Sequence, residues 1–233
     1  MKIEQKKIKR IVDVVLGTRI NSWYWRFRHF IDPQWAQSYL SEGSLHHPHR
    51  KFLIDIILKY RPIGSLLEIG CASGPNLFLL SKELSGARLE GIDISKSAIN
   101  VGAQFFRERE IENVVLKQGG FNTLSQIESK SFDIVISDAS LIYATPQQVN
   151  NVLREMIRIA NKKIILMEQN TGGPSFYDMH WIHNYKKELS RLGINEALFS
   201  EIPSYFWNGN EKWKKYGCVI IIETEDYKIP NTA

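Results

Sequence analysis

The stretch SLLEIGCASGPNLFLL, residues 65–80, decides the fold. Its apolar run contains one acid, Glu68, passes through Gly70, Ala72 and Gly74, and then becomes apolar again. A short apolar run followed by small residues is typical of a buried strand that turns tightly into a helix, and glycine lets a ligand approach the backbone. In doubly wound α/β sheets this turn binds ligands. The stretch therefore predicts a strand, a ligand-binding loop and a helix.

Short β-rich runs alternate with helical patterns from residue 61 onward. Such alternation indicates βαβ units and a parallel sheet. The predicted strands cover residues 65–70, 88–93, 113–118, 132–137, 162–168, 195–202 and 218–224, and the predicted helices cover residues 75–84, 95–109, 146–160 and 178–192.

The residues before this alternation have a different pattern. Residues 3–16 place apolar side chains at helical spacing, and residues 45–60 predict a helix that leads into the first strand. Between them, residues 21–30 crowd aromatic side chains that either line a ligand pocket or belong to the core. We therefore predict an N-terminal helical cap over residues 1–61, in the same domain as residues 62–228.

Charge and composition exclude several functional classes. The chain has 233 residues, 43% of them hydrophobic, which suits one large α/β domain. Of the net charge of +5, +4 comes from the first ten residues, so the remainder has no basic stripe for nucleic acid. The basic leader is compatible with a solvated helix face, an acidic partner or a lipid surface.

The sequence also predicts the compartment. It contains no apolar run long enough to span a bilayer and no signal-peptide pattern at its start. Cys71 and Cys218 are isolated, which favours free thiols over a disulfide. We therefore expect a soluble cytoplasmic protein without stable membrane insertion, and the oligomeric state stays open.

Two acids flank the glycine loop and indicate the ligand. A dinucleotide site would have GxGxxG here, whereas this loop has Glu68 two residues before Gly70. A carboxylate at that place repels phosphate and attracts a cation. Asp93 ends the second predicted strand, about 20 residues after the loop, where a carboxylate accepts both ribose hydroxyls. Together the two acids predict a nucleoside that carries a positively charged amino acid.

The motifs LLEIGCASG, GIDIS and SFDIVISD, in this order and spacing, resemble the class I S-adenosylmethionine-dependent methyltransferases over about residues 50–225. The resemblance implies a Rossmann-like, doubly wound sheet of seven strands whose last strand is antiparallel. It also implies S-adenosylmethionine as the cofactor. The cofactor-binding residues that follow from it are Glu68, Gly70, Cys71, Ala72, Gly74, Asn76, Asp93, Ile94, Gly120, Phe121 and Asp138.

Two positions depart from the family pattern. Ala72 stands where glycine is common, which is acceptable if its φ is negative. After the third strand, Gly119 and Gly120 stand where the family commonly has an acid for the adenine amino group. The side-chain carbonyl of Asn122 or a backbone carbonyl is the alternative acceptor.

Methyl transfer needs a base that removes a proton from the acceptor. We predict His180 for this role, in the first turn of a helix that begins near Asp178, where the helix dipole disfavours the imidazolium form. Asp138 and Tyr143 complete the predicted catalytic set. Other candidate bases are His183 and the cluster His46, His47 and His49.

The same residues give two metal interpretations, neither of which we adopt. HHPH, residues 46–49, has no further ligand nearby, and Pro48 indicates a turn. Asp138, Glu168 and Asn170 resemble the site of magnesium-dependent O-methyltransferases only imperfectly. We assign no metal.

The sequence favours a small acceptor. The motifs of nucleic-acid base methylation, PPY after the fourth strand or a catalytic Pro-Cys, are absent from SDASLIYATP, residues 137–146. Aromatic residues in the cap and near residues 205–213 suit a sugar, a phenol or another natural-product or glycan precursor. We expect O-methylation, with N-methylation of a small amine or a non-catalytic cofactor-binding adaptor as alternatives.

Overall fold

The structure is a computed structural model, and it describes residues 32–173, 175–177, 180–207 and 210–225. The predicted leader helix of residues 3–16 and the aromatic cluster of residues 21–30 lie outside these ranges. No helix within them combines the length and the apolarity needed to cross a bilayer.

Helices and strands alternate along most of the described chain. Helices α1 to α8 cover Pro33–Ser38, Glu42–Leu45, Pro48–Leu58, Pro75–Glu83, Lys96–Arg107, Val149–Ile159, Tyr185–Arg191 and Glu211–Tyr216. Strands β1 to β9 cover Ser65–Ile69, Arg88–Asp93, Val114–Gln118, Phe132–Asp138, Ala160–Gln169, Ser175–Tyr177, His180–Ile182, Leu198–Glu201 and Gly217–Glu223. Short 3₁₀ turns lie at Phe121–Gln126, Leu141–Tyr143 and Ser204–Trp207.

Seven strands form one mixed sheet in the order β3-β2-β1-β4-β5-β9-β8. Strands β1 to β5 run parallel, and β9 lies antiparallel between β5 and β8. This arrangement confirms the Rossmann-like, doubly wound fold and its antiparallel last strand. The strand order reverses between β1 and β4, so the carboxyl ends of these two strands border the crevice where such sheets bind ligands.

Both faces of the sheet are covered by helices, which explains the nearly continuous apolar runs of its strands. Neighbouring residues on one strand enter opposite cores because their side chains alternate. Leu66 belongs to the core shared with α3, α4 and α5, whereas Leu67 belongs to the core shared with α6 and α7. Leu53 and Ile57 of α3 pack in the first of these cores, so the described part of the predicted cap packs directly on the sheet.

One predicted helix begins later than expected. Residues 180–182 form β7, which pairs antiparallel with β6, and the helix begins only at Tyr185. The side chain of Asn184 caps α7 by accepting a hydrogen bond from the Lys187 N–H. Trp181 and Ile182 are buried in β7, as suits aromatic and β-branched residues on a pleated surface. The prediction that His180 lies in the first turn of a helix is therefore wrong.

Candidate active site

A cavity of about 790 Å³ lies at the carboxyl ends of β1, β2 and β4, a volume within the usual range for ligand sites. Its lining combines the β1–α4 loop and residues 119–122 with side chains of α1 and α3 and with Trp207 and Trp213. Of the predicted cofactor residues, Glu68, Gly70, Cys71, Ala72, Asn76, Asp93, Ile94, Gly120, Phe121 and Asp138 line it.

Gly74 has a different role from the one predicted. It does not line the cavity but precedes α4 with φ +80°, and a Cβ there would lie 3.0 Å from the Phe106 ring. Gly70 has φ +75°, and a Cβ there would lie 1.9 Å from the Ser140 Oγ. Both positions require glycine, Gly70 for the approach of the loop after β4 and Gly74 for the packing of α5.

Ala72 has φ +49°, so the condition under which alanine is free of strain at this position, a negative φ, is not met. Its N–H donates to Asp93 Oδ2 at 2.9 Å, which ties the loop to the end of β2. A left-handed conformation costs an L-residue about 1 to 2 kcal/mol. The Asp93 carboxylate helps to hold the loop in that conformation.

Asp93 retains the capacity to bind a ligand. Its Oδ1 accepts from the Ser95 N–H at 2.8 Å and its Oδ2 accepts from Ala72, but each carboxylate oxygen has two lone pairs. Burial raises the pKa of this carboxyl, against the lowering effect of the two backbone hydrogen bonds. The helix that follows is capped by Ser95 itself, so Asp93 is not its N-cap.

Glu68 is an acid with an unused oxygen at the cavity wall. Its Oε1 accepts from Asn76 Nδ2 at 2.7 Å, whereas its buried Oε2 has no hydrogen-bond partner in the described part of the chain. Burial raises the pKa of Glu68 to about 8. A buried carboxylate oxygen without a partner is costly, and a cationic ligand group would satisfy it.

Asn76 connects this acid to a second one. Its Nδ2 also donates to Asp138 Oδ2 at 3.0 Å, and its Oδ1 accepts from Arg50 Nη1 at 2.7 Å. Because the amide nitrogen faces two carboxylates and the oxygen faces a guanidinium, the side-chain orientation is fixed by its partners. Asn76 thus joins β1, β4 and the α3 residue Arg50 in one buried polar network.

Asp138 lies at the end of β4, within this network. His49 Nε2 is 3.4 Å and Arg50 Nη1 is 3.7 Å from its Oδ2. Burial favours the neutral acid, but hydrogen bonding to His49 and the nearby positive charges outweigh it, so the pKa of Asp138 lies below its ordinary value. The cavity therefore places an ionised carboxylate next to a histidine.

The turn after β3 forms the opposite end of the cavity. Gly119, Gly120, Phe121 and Asn122 all line it. The Asn122 Oδ1 is close to Gly120, because a Cβ on Gly120 would lie 3.1 Å from it. The acceptor suggested by the sequence is thus present on the cavity wall.

The predicted catalytic residues separate into two groups. Asp138 and Tyr143 line the cavity, whereas His180 does not and packs edge-to-face on the Tyr143 ring at 5.0 Å. His183 is buried, with its Nε2 3.1 Å from the Leu141 carbonyl, and burial lowers its pKa to about 4. We interpret His183 as a structural support of the turn after β4.

The proposed resemblance to a magnesium site has no geometric support. Glu168 Oε1 accepts from the Ser137 hydroxyl and from the N–H groups of Ser140 and Leu141, and Asn170 Oδ1 accepts from the Tyr185 N–H. Neither side chain lines the cavity. Residues 32–173, 175–177, 180–207 and 210–225 contain no group of three or more His, Cys, Asp or Glu side chains arranged to hold a metal.

Several lining residues lie far from the motifs in the sequence. Arg50 and His49 reach the cavity from α3, and Trp207 reaches it from the 3₁₀ turn before α8. Trp207 stacks on Trp213 with 4.7 Å between centroids and 21° between planes, and its buried Nε1 has no acceptor in the described ranges. The sequence signal for Trp207 and Trp213 was the aromatic composition of residues 205–213.

Comparison with known proteins agrees with this architecture. A sequence model of the methyltransferase domain family matches residues 64–220. Ribosomal protein L11 methyltransferase of Dictyoglomus thermophilum is 32% identical over 116 residues, covering 48% of this chain and 37% of that protein. Malonyl-[acyl-carrier protein] O-methyltransferase of a Paenibacillus species is 25% identical over 138 residues, covering 56% and 49%. The chain thus spans about half or less of these curated relatives.

Solved structures share the fold. Magnesium protoporphyrin IX methyltransferase of Synechocystis PCC 6803, with bound S-adenosylmethionine, superposes with a TM-score of 0.63 at 16% identity, covering 87% of this chain and 96% of that one. Geranyl diphosphate C-methyltransferase of Streptomyces coelicolor A3(2) gives 0.62 at 17% identity, covering 76% and 75%. At these identities the likeness concerns the fold alone.

The fold and the acid-flanked glycine loop define a class I, S-adenosylmethionine-dependent methyltransferase architecture. The family match covers well over half of the chain, which therefore belongs to the methyltransferase domain family. The two solved structures contain S-adenosylmethionine and S-adenosyl-L-homocysteine, respectively.

Proposed function

We propose that the chain holds S-adenosylmethionine in this cavity and transfers its methyl group to a small-molecule acceptor. One observation carries the proposal: the unpartnered Glu68 Oε2 and the Asp93 carboxylate line one cavity, on either side of the left-handed loop at Ala72. This donor and acceptor set fits a nucleoside with a cationic amino-acid end.

The cavity wall carries groups that suit the amino-acid end and the nucleoside end of the cofactor. Glu68 provides an acceptor for the ammonium group, and the Arg50 guanidinium on the same wall is the counterpart for a carboxylate. Asp93 accepts from the ribose hydroxyls. Ile94 and Phe121 line the part of the cavity that would hold the adenine, and the Asn122 Oδ1 would be an acceptor for its amino group.

Bound S-adenosylmethionine supplies an electrophilic methyl group on a sulfonium. The chain itself has to hold the acceptor in line, exclude water and receive the proton that the acceptor loses. Asp138 lies at the end of β4 and Tyr143 in the turn after it, where they can orient the acceptor. His180 supports Tyr143 through the ring contact and stays a candidate base from the sequence.

The walls favour a small, flat or partly apolar acceptor. Trp35, Tyr39, Trp207 and Trp213 line the cavity, and aromatic faces bind rings and sugar faces by stacking. The unpartnered Trp207 Nε1 favours an acceptor that carries oxygen. We therefore propose O-methylation of a phenol, sugar or related natural-product or glycan precursor, in preference to N-methylation of a small amine.

The names of two relatives suggest a protein as an alternative acceptor. One is named for ribosomal protein L11 and another, in Bacteroides thetaiotaomicron, is a release factor glutamine methyltransferase, so a protein substrate is the competing acceptor. A nucleic-acid substrate has no sequence support. The two buried free thiols, Cys71 and Cys218, suit the cytoplasm as the proposed location.

The experiment is methyl transfer from S-adenosylmethionine labelled in the methyl group. The full chain is incubated with separate small-metabolite and protein fractions, and label is measured in each. Label in the metabolite fraction supports a small acceptor, and fragmentation of the labelled product by mass spectrometry that places the methyl group on oxygen supports O-methylation over N-methylation. Label in protein alone would contradict it, and cofactor binding without any transfer would support the adaptor alternative.

A further inference from the structure

Two histidines at the start of α3 form a chain of contacts that ends at Asp138. His49 Nδ1 lies 2.5 Å from His47 Nδ1, and His49 Nε2 lies 3.4 Å from Asp138 Oδ2. His49 is 8% exposed and lines the cavity, whereas His47 is half-buried and does not line it. The chain of contacts thus runs from the cavity towards the protein surface.

The contacts of His47 determine where the protons lie. Its Nδ1 accepts from the His49 backbone N–H at 3.4 Å, so this nitrogen carries a lone pair and no proton. Two ring nitrogens 2.5 Å apart are joined by one hydrogen bond, so its proton must be bound to His49 Nδ1. When His49 is neutral, its Nε2 therefore has the lone pair, and the hydrogen bond from this nitrogen to Asp138 forms only when the ring gains its second proton.

Groups around His49 stabilise the charge that the ring acquires with a second proton. The Asp138 carboxylate faces Nε2, and the Trp207 ring lies over the imidazole with 4.9 Å between centroids and 30° between planes. The positive charge of Arg50 disfavours a positive charge on His49. The Arg50 guanidinium, however, donates its hydrogen bonds to Asn76 and to the carbonyl and hydroxyl of Ser44, not to His49. His47 Nδ1 accepts the hydrogen bond from the His49 Nδ1–H in both protonation states of His49.

We propose that His49 is the general base of the transfer, that His47 is a positioning residue which fixes its tautomer, and that Asp138 stabilises the imidazolium. The proposal rests on the proposed methyl transfer to a hydroxyl acceptor. It assigns the base to α3, whereas the sequence pattern alone favoured His180.

The transfer forms one bond, breaks another and releases one proton. A lone pair of the acceptor oxygen forms the bond to the methyl carbon, while the carbon–sulfur bond breaks and its electron pair stays on sulfur, which becomes a neutral thioether. The hydroxyl proton of the acceptor goes to His49 Nε2. The imidazolium returns this proton to water after the product leaves.

The first test compares transfer rates to the acceptor found with labelled S-adenosylmethionine. His49→Gln should lower the rate by roughly 10²- to 10⁴-fold, the usual range for loss of a general base, with unchanged cofactor affinity by calorimetry. His46→Ala is the matched control, because His46 is exposed and contacts Glu42. His180→Ala is measured beside it, because the sequence pattern favours His180 as the base and its ring contacts Tyr143. Wild-type rate in His49→Gln, or loss only in His180→Ala, would overturn the proposal.

The second test needs no acceptor. In full-length protein with ¹⁵N-labelled histidine and bound S-adenosylmethionine, ring shifts should show neutral His49 protonated on Nδ1. His47→Asn keeps an acceptor oxygen and should preserve this signature, whereas His47→Ala should lose it. A neutral His49 protonated on Nε2 in the wild type would overturn the proposal, even if methyl transfer itself is demonstrated. Absence of cofactor binding in calorimetry would contradict the proposed function instead.

Discussion

Asp93 Oδ2 accepts a hydrogen bond from the Ala72 N–H at 2.9 Å, and this contact joins the ends of β1 and β2 across the cavity wall. The same carboxylate that faces the proposed ribose site therefore also holds a left-handed alanine in place. Cofactor binding and the local stability of the loop depend on one side chain.

Strain at Ala72 gives a prediction about stability. Ala72→Gly removes a cost of about 1 to 2 kcal/mol for φ +49° but adds about 0.5 to 1 kcal/mol of backbone entropy. We expect the free energy of unfolding to rise by roughly 0.5 to 1 kcal/mol. Urea denaturation of the full chain measures this difference.

Ala103→Gly is the matched control for this measurement. Ala103 lies inside α5, where glycine destabilises a helix by about 1 kcal/mol. If both substitutions lower the stability equally, the loop is not strained at Ala72 and the conformation described for it is wrong.

The unpartnered Glu68 oxygen predicts a pH-dependent affinity for S-adenosylmethionine. With a pKa of about 8, Glu68 is mostly protonated at pH 6 and must lose a proton to pair with the cofactor ammonium. The affinity should therefore rise from pH 6 towards pH 8, by up to about tenfold per pH unit, until the cofactor ammonium loses its own proton. Calorimetry between pH 6 and 9 measures it.

Two variants distinguish the titration of Glu68 from the titration of another buried acid. Glu68→Gln should flatten the pH dependence of the affinity. Glu168→Gln should leave it unchanged, because Glu168, with a pKa of about 7, does not line the cavity. A slope that persists in Glu68→Gln would place the titrating group elsewhere.

The cofactor-free protein should become less stable as the pH rises. The folded-state pKa values of Glu68, about 8, and Glu168, about 7, lie above the ordinary value of 4.5, so the folded state binds more protons than the unfolded state between these limits. Their stabilising contribution is complete below about pH 4.5 and is lost as the pH rises through about 7 to 8. Denaturation midpoints of Glu68→Gln should fall less over this window than those of the wild type; an equal fall in both would refute the assignment.

Much of the fold followed from local patterns. The buried parallel strands and the β1–α4 loop depend on residues that are adjacent in sequence, so β2 was predicted over its full length, residues 88–93. The β6–β7 pair was missed because residues 178–192 also have a helical pattern. The Asn184 cap was present as a signal that the helix begins later.

The site could be predicted only where one motif supplies its residues. Glu68, Gly70 and Asp93 were found because strand ends and loops are local features. His49 was one of several candidate bases in the sequence, but its position beside Arg50 and Trp207 depends on how α3 and the turn before α8 pack against the sheet. The φ of Ala72 could not be predicted either, because the carboxylate that helps to hold this conformation belongs to Asp93, 21 residues away in the sequence.

Glu68 and Asp93 are the side chains that we propose to hold S-adenosylmethionine in the cavity. Isothermal titration of the full chain with S-adenosylmethionine, beside Asp93→Ala and the isosteric Asp93→Asn, measures the contribution of Asp93. We predict a 1:1 complex that Asp93→Ala weakens by about 1.5 to 3 kcal/mol, with a smaller loss in Asp93→Asn, which keeps one acceptor oxygen. Folding of both variants is verified by circular dichroism before titration. An Asp93→Ala variant that is folded and binds the cofactor with wild-type affinity would contradict the account.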